Sequence, residues 1–544
     1  MEKKINKFMK RTTIGSVMRG ICYGFAALLF AASCANDDVA QDEKQKKDNI
    51  PAGTTVFTGT SLPDATTRTA ILNHTKGAGA SVSWSSTDKI WVKDDANTWQ
   101  QSTTTTIPSS ANPSFAKFAL SGTYTGATHD VLYTNKSVSG TQPQVEIKAA
   151  QTQSAPNNFD HAGESGDFGI ATATKSDNNY VFTLSHKAAY LCFIPRSANT
   201  LIHRSKLIKI EISSEDDIAG TYDIATNGSL TLASGGSKTI TLTTGSGFDV
   251  TNATDDMNKN ASYVVIAPGT HKLRVRYWLE NNADGLRSMA GTLGPIEGAI
   301  TKYVTVNCTA GSIQDVTANL NPIDCDATNF YFWDAKQNCW WQHEWNTTDP
   351  WQPTLTDHSN SSKYPTSADA DRWYNTSGSV GTRYDAEHSS KECPNVNEAM
   401  WYYGKGDPHF DEDELWSIMG HLCKGGVWVK KKAKIAQDNG TTTTAMRNAY
   451  NGVDYRTGSS STPGSPLVLS SSLPDISEIG NYFYLPLQGY YDGSSAFSVP
   501  GWYVYLWTSS SYDASQAYVF ELGNGYIGVG THSKFEGIAN VKFE

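Results

Sequence analysis

Charge is scarce in this chain, and so are the residue spacings that most enzymes need. Only 18% of its 544 residues are Asp, Glu, Lys or Arg, and the formal net charge is −10. An acidic chain does not neutralise phosphates, which excludes a nucleic-acid partner. None of the eight cysteines forms a Cys-x-x-Cys pair and no His-x-x-x-His occurs, so no zinc site is expected. There is no Gly-x-Ser-x-Gly elbow and no phosphate loop ending in Gly-Lys-Ser/Thr, and His343-Glu344 lacks the second histidine of a zincin helix. These gaps predict a protein that is not an enzyme and that carries no cofactor or metal.

What is present begins at the N-terminus. Lys3, Lys4, Lys7, Lys10, Arg11 and Arg19 precede a short apolar stretch from Ile21 to Phe30, and Ala31-Ala32-Ser33 leads into Cys34. The apolar stretch is far below the ~20 residues that span a bilayer, so residues 1–33 read as a cleavable lipoprotein signal. Cys34 is then the lipidation site, and two acyl chains there give firm anchoring. Loss of residues 1–33 removes six cations and one anion and leaves a formal charge of −15. Residues 34–52, with Asp37, Asp38, Asp42, Glu43 and Asp48, read as a disordered tether. The only expected contact with a membrane is through the lipid.

From about Thr54 to Pro322 the pattern is short alternating strands. Leu273, Val275, Tyr277 and Leu279 fall on one face, with Arg274 and Arg276 on the other. Turn signals such as Asn227-Gly228 recur between them. Two β-sandwiches are expected, at 53–198 and 199–322, with the join near Ser197 to Ser205. Cys192 and Cys308 sit in strand-like runs and read as buried thiols. The six cysteines beyond Cys34 leave their pairing open.

After Pro322 the composition changes, and eleven of fifteen tryptophans lie between Trp333 and Trp507. Two helices are expected, a short one over Asn395 to Tyr403 and a longer one over Asp411 to Lys424. The latter rests on Leu415, Ile418, Met419 and Leu422 at i, i+3, i+4 and i+7, with Gly425-Gly426 as its stop. Strands follow at 426–429, 482–485, 502–507, 517–520 and 526–529. Residues 323–544 therefore read as an α+β domain, with 323–390 as an elaboration, and the chain as a whole is mainly β.

The first two-thirds resembles the fimbrillin-like family, surface fimbrial lipoproteins of Gram-negative anaerobes. The resemblance rests on Cys34, Thr66-Thr-Arg-Thr69, Ser83-Trp-Ser-Ser-Thr-Asp-Lys-Ile-Trp91, Ile218-Ala-Gly-Thr-Tyr222, Tyr263-Val-Val-Ile-Ala-Pro-Gly269 and the run from Tyr303 to Leu320. It implies two β-sandwich domains and export to the outer membrane and cell surface, which the acids after Cys34 also suggest. It further implies an arginine-specific cut, here at Arg68, that frees the first strand, and fimbrial partners bound by donor-strand exchange. A plain surface arginine is the alternative at Arg68. The last third is similar to C-type-lectin-like domains, through Cys393-Pro-Asn-Val-Asn-Glu-Ala-Met-Trp-Tyr402, Gly406-Asp-Pro-His409, Gly425-Gly-Val-Trp428, Leu485-Pro-Leu-Gln-Gly-Tyr490 and Trp507-Thr-Ser-Ser-Ser511. The ending Val541-Lys-Phe-Glu544 departs from that pattern.

Candidate ligand residues are Tyr490, Tyr491, Asp492, Trp502, Tyr503, Tyr512, Asp513, Asn524, Tyr526 and His532, with Lys534 beside them. Rigid phenol rings among Asn, Ser and Gly are the mixture that binding surfaces favour, and lectin-like folds commonly display this region. Trp333, Trp340, Trp341 and Trp345 fit either a sugar-stacking platform or a small core. Asp407, His409, Asp411 and Asp413 lack the glycine of a calcium loop and read as caps of the helix expected from Asp411. Together these features point to a non-enzymatic fimbrial subunit at a tip or accessory position, binding a glycan or protein through its C-terminal domain. The alternative is a lipid-anchored glycan-binding protein of a nutrient-uptake system.

Overall fold

Alternating apolar and polar residues dictate strands whose one face is buried, and the protein is mainly β with several sheets. The computed structural model describes residues 51–542 apart from 61–69, 73, 111–112, 287–292, 356–360 and 383. The expected signal, Cys34, most of the tether and Arg68 lie outside the described residues. Among the described residues no helix is long and apolar enough to cross a membrane.

The first sheet runs Trp99–Gln101, Trp91–Lys93, Thr128–Tyr133, Gly169–Ser176, Asn179–Thr183, Thr55–Thr60, Ala116–Leu120, Thr104–Thr106. The earliest described strand in the chain is thus an interior one. Thr55–Thr60 pairs in parallel with Asn179–Thr183 and antiparallel with Ala116–Leu120. Its Phe57 is fully buried and stacks on Tyr180 at 4.7 Å between ring centroids. At Gly59 a Cβ would lie 2.8 Å from the Phe182 ring, so glycine lets this strand sit close over its neighbours.

In the second module Ala189–Arg196 lies between Ser262–Ile266 and Ile313–Asn319. This small sheet shares a core with Thr239–Asp249, Ser205–Ser214, Gly269–Leu286 and Leu293–Cys308. Leu273, Val275, Tyr277 and Leu279 are all buried, as their spacing predicts. The changeover between sheets falls before Ala189, ahead of the expected join at Ser197 to Ser205. That polar stretch reads as a linker but forms a short helix, Thr200–His203, capped by the Asn199 side chain. Ala150–Thr152 also reaches forward to pair with Thr239–Asp249. All six described cysteines are unbonded thiols, and burial raises Cys308, Cys339 and Cys393 to about 12.

The helix expected over Asp411 to Lys424 is instead a hairpin, His409–Ile418 and His421–Lys430. Met419 (φ 47°) and Gly420 (φ 75°) supply the two positive-φ residues of a tight hairpin turn. The misleading periodicity has a physical origin in double-sided burial. Leu415 and Leu422 enter the second module's core, while Trp416, Ile418, Met419 and Cys423 enter the C-terminal core. The helix expected over Asn395 to Tyr403 is present as Val396–Lys405, with Asn395 as its N-cap in a reciprocal capping box with Glu398.

This hairpin extends the second module's sheet into the C-terminal one, bridging Ala299 to Glu414 and Gly285 to Leu422. Of the residues expected to cap a helix, Asp411 and Asp413 lie at the seam on Arg276, with Glu414 beside them. Arg276, 7% exposed, bonds Asp411 at 2.9 Å, and the Glu414 carboxylate accepts the Thr301 N–H at 3.0 Å and its hydroxyl. Gly298 has no side chain to hold the backbones apart, since a Cβ there would meet the Asp413 carbonyl at 2.6 Å. Burial, reinforced by Asp411, pushes the Glu414 carboxyl up to about 7. The folded protein therefore keeps a proton that the unfolded chain releases, so this group costs stability as pH rises from 4.5 to 7. Glu414→Gln is expected to match wild type near pH 4.5 and to exceed it above pH 7, by up to about 3 kcal/mol. Thermal unfolding of both proteins across this range measures the difference; a gap that shrinks with rising pH contradicts it.

A candidate ligand face on the C-terminal sheet

The C-terminal sheet runs Phe330–Tyr331, Ile538–Ala539, Tyr503–Ser511, Gln516–Gly523, Tyr526–Ser533, Gly464–Val468. Period two divides its side chains between two faces. Val504, Leu506, Phe520, Leu522, Ile527 and Val529 share one core with Met400 and Tyr402 of the Val396–Lys405 helix. The other face is itself divided. Trp507, Val519 and Ala517 are covered by Trp333 and Ile538, while the remainder is partly open.

On the open part the register sets two rows side by side. Tyr505 lies opposite Glu521, which lies opposite Gly528; Tyr503 lies opposite Gly523, which lies opposite Tyr526. Gly528 and Gly530 carry no side chain, and the Glu521 carboxylate lies over them and helps bury both. A Cβ at Gly528 would stand 3.3 Å from Glu521 Oε2, and one at Gly530 would collide with Oε1. His532 lies 4.0 Å from the Tyr505 ring between centroids, and its Nδ1 donates to the Glu536 carboxylate at 2.7 Å. Tyr490 meets Tyr505 edge-on at 4.9 Å, and Tyr503 lies 5.9 Å from Tyr526. Burial raises the Glu521 carboxyl above the usual carboxylate range, with His532 acting in the opposite sense. Burial also lifts the phenols of Tyr490 and Tyr526, the latter to about 12, so these rings are neutral at physiological pH.

The structure thus gathers four of the ten sequence candidates, Tyr490, Tyr503, Tyr526 and His532. It separates the rest. Tyr491 is fully buried, its hydroxyl accepting from Gln352 at 2.8 Å, so it is core and not a displayed residue. Asp492 closes its own turn, accepting from Ser494 N–H at 2.9 Å. Trp502, 45% exposed, and Asn524 line a separate cleft with Ile296 and Lys424, where the modules meet. Tyr512 donates to the Ser459 carbonyl and Asp513 accepts from Ser515 and Gln516, both in the turn that joins Tyr503–Ser511 to Gln516–Gly523. Lys534 is wholly buried, with its ammonium on the Ser377 carbonyl and 4.3 Å above the Trp333 ring, and burial lowers it to about 8. Trp333 and Trp340 are likewise buried, which decides for the core over a sugar platform at those two positions.

Sequence reasoning missed Tyr505, Glu521 and Glu536. Tyr505 was legible from period two within the Trp502–Trp507 run, and Glu521 stands out as a charge at the end of an apolar strand. It also missed His74, Cys192 and Asp315, whose ligating atoms lie within 4.8 Å of one another. His74 Nε2 bonds Asp315 at 2.9 Å, and burial holds the Cys192 thiol protonated, so the trio acts as a hydrogen-bonded pin. A cavity of about 540 Å³ contains none of the candidates; its Lys93 pairs with Asp130 at 3.5 Å and lies over Trp99.

No family model matches the chain, and no curated protein matches it. Among solved structures, a candidate cell adhesion protein of Bacteroides ovatus is 13% identical over 49% of this chain and 91% of its own, with a TM-score of 0.31. One of Bacteroides uniformis is 15% identical over 47% of this chain and 99% of its own, with a TM-score of 0.26. A fimbrial protein of Bacteroides ovatus is 9% identical over 89% of this chain and 97% of its own, with a TM-score of 0.22. Superpositions this loose, at identities this low, establish neither activity nor partner for this chain.

The division between core and displayed rings is testable by stability. Tyr491→Phe leaves the Gln352 amide short of a buried partner and is expected to cost about 1–3 kcal/mol. Trp502→Ala, at an exposed position, is expected to change stability by less than about 0.5 kcal/mol. Urea unfolding of the two variants checks both values; a larger loss for Trp502→Ala contradicts the assignment.

Proposed function

We propose that this chain is a non-enzymatic subunit of a surface fimbria, of the fimbrillin-like kind, and that it acts as an adhesin through a C-type-lectin-like C-terminal module. The observation that carries the reading is the interior position of Thr55–Thr60 between Asn179–Thr183 and Ala116–Leu120. Its link to the rest of the chain runs through residues 61–69, which include Arg68. A cut there would leave the strand held by noncovalent contacts alone. Its departure would open a slot with two rows of unpaired backbone groups, which a strand of another subunit can fill. The chain beyond Arg68 would stay docked, because His74 and the Gly77 N–H both bond Asp315 and Lys76 pairs with Asp255.

A tip or accessory position is supported by the seam at Arg276 and Glu414. The second module's sheet continues into the chain's own hairpin, which pairs with Leu293–Cys308 at Ala299 and takes up that part of its edge. The tyrosine face around Glu521 would be the adhesive surface. That face alone also suits the second reading, a lipid-anchored glycan-binding protein that never joins a filament.

Mass spectrometry of the protein recovered from surface filaments is expected to find an N-terminus at Thr69. A chain intact from Cys34 through Arg68 in those filaments would reject strand exchange. Cells expressing Tyr503→Ala/Tyr526→Ala are expected to lose at least about tenfold in attachment while assembling normal filaments. Unchanged attachment would remove the face from the account.

A further inference from the structure

We infer that the face around Glu521 binds a ligand through an alkylammonium group, seated against the Glu521 carboxylate beside Tyr505 and Tyr526. The inference rests on the reading of this face as the ligand surface and adds the chemistry of what it takes.

Three observations converge on a cation. The Glu521 carboxylate is a desolvated anion that no hydrogen-bond donor reaches among the described residues; burial and His532 are the only influences on its titration. A group in that state gains most from a positive charge brought into contact with it. Two neighbouring basic side chains are held by other partners. His532 is already engaged by Glu536, and Lys534 is turned into the core onto Trp333. Finally, the walls are phenol rings, which attract a cation to their faces and cover the methylenes that carry it. An anionic ligand would meet two carboxylates, Glu521 and Glu536.

Glu521 is only part-buried, so a ligand group can reach its carboxylate from solvent. Tyr505 and Tyr526 stand on the strands flanking Glu521. An ammonium there would make one ion pair and two ring contacts, enough to fix the end of a ligand whose remainder lies along Tyr503 and Tyr490.

Two sources of the group are distinguished by four probes: Nα-acetyl-lysine methylamide and its Nε-acetylated form, glucosamine and N-acetylglucosamine. Titration of the purified full chain, followed by NMR or calorimetry, is expected to show binding by at least one free amine, and binding at least about tenfold weaker by its acetylated counterpart. The preferred amine tells whether a lysine side chain or an amino sugar is the natural source. Glu521→Gln, isosteric and on the open face, is expected to reduce amine binding at least about tenfold while keeping an unfolding midpoint at or above the wild-type value. Tyr526→Leu, which removes a ring without touching the carboxylate, is expected to weaken binding as well. Equal binding of free and acetylated probes, no binding of either amine, or full binding by Glu521→Gln would overturn the inference. If the amines fail while Tyr503→Ala/Tyr526→Ala still abolishes attachment, the ammonium assignment alone falls. If that double variant attaches normally, the face itself is not the adhesive surface.

Discussion

Backbone groups in the interior of a sheet must be paired, because water cannot reach them there and an orphaned N–H or C=O costs as much as a lost hydrogen bond. Thr55–Thr60 satisfies that requirement for both Ala116–Leu120 and Asn179–Thr183. Phe57 fills the space beneath it, stacked on Tyr180 and edge-on to Tyr124 at 5.0 Å. The first module has no other described segment positioned to close this slot. Whatever occupies it, the chain's own strand or another chain's, must supply a similar alternation with a large ring at the Phe57 position and a small residue at Gly59.

The second constraint is the seam between the middle and C-terminal modules. A buried arginine paired to Asp411, and a buried glutamate accepting from Thr301, are costly to desolvate, and such groups persist only when their partners are fixed. Here they fix the hairpin against Leu293–Cys308 at Ala299, so the second module's sheet continues into the C-terminal module, where the tyrosine face lies on a separate six-stranded sheet. The carboxylate at Glu521 follows the same logic with one difference: no hydrogen-bond donor reaches it among the described residues. A desolvated anion with an open side is a place where an incoming cation gains what the fold itself does not provide.

Period two carried most of the fold, since Leu273 to Leu279 and the C-terminal strands alternate plainly and one face of each is buried. It failed where a strand pair is buried on both faces. In Leu415 to Leu422 the apolar residues serve two different cores, and their spacing then imitates a helix. The Met419-Gly420 turn was the local signal against that reading. The site was legible as a region and not as a constellation. Tyr503 and Tyr526 stood out by residue type, but only the register shows that they bracket the row of Glu521, and only packing shows that Tyr491 and Lys534 point inward. The seam was invisible, because Arg276 and Asp411 are far apart in sequence and charged residues in strands read as solvent-facing.

Density for the assembled filament, at a resolution that identifies side chains, tests the central claim most directly. Between Ala116–Leu120 and Asn179–Thr183 the account predicts a strand that belongs to a different subunit, with this chain starting downstream of Arg68. Density in that slot traced to this chain's own Thr55–Thr60, with Phe57 on Tyr180, would contradict it.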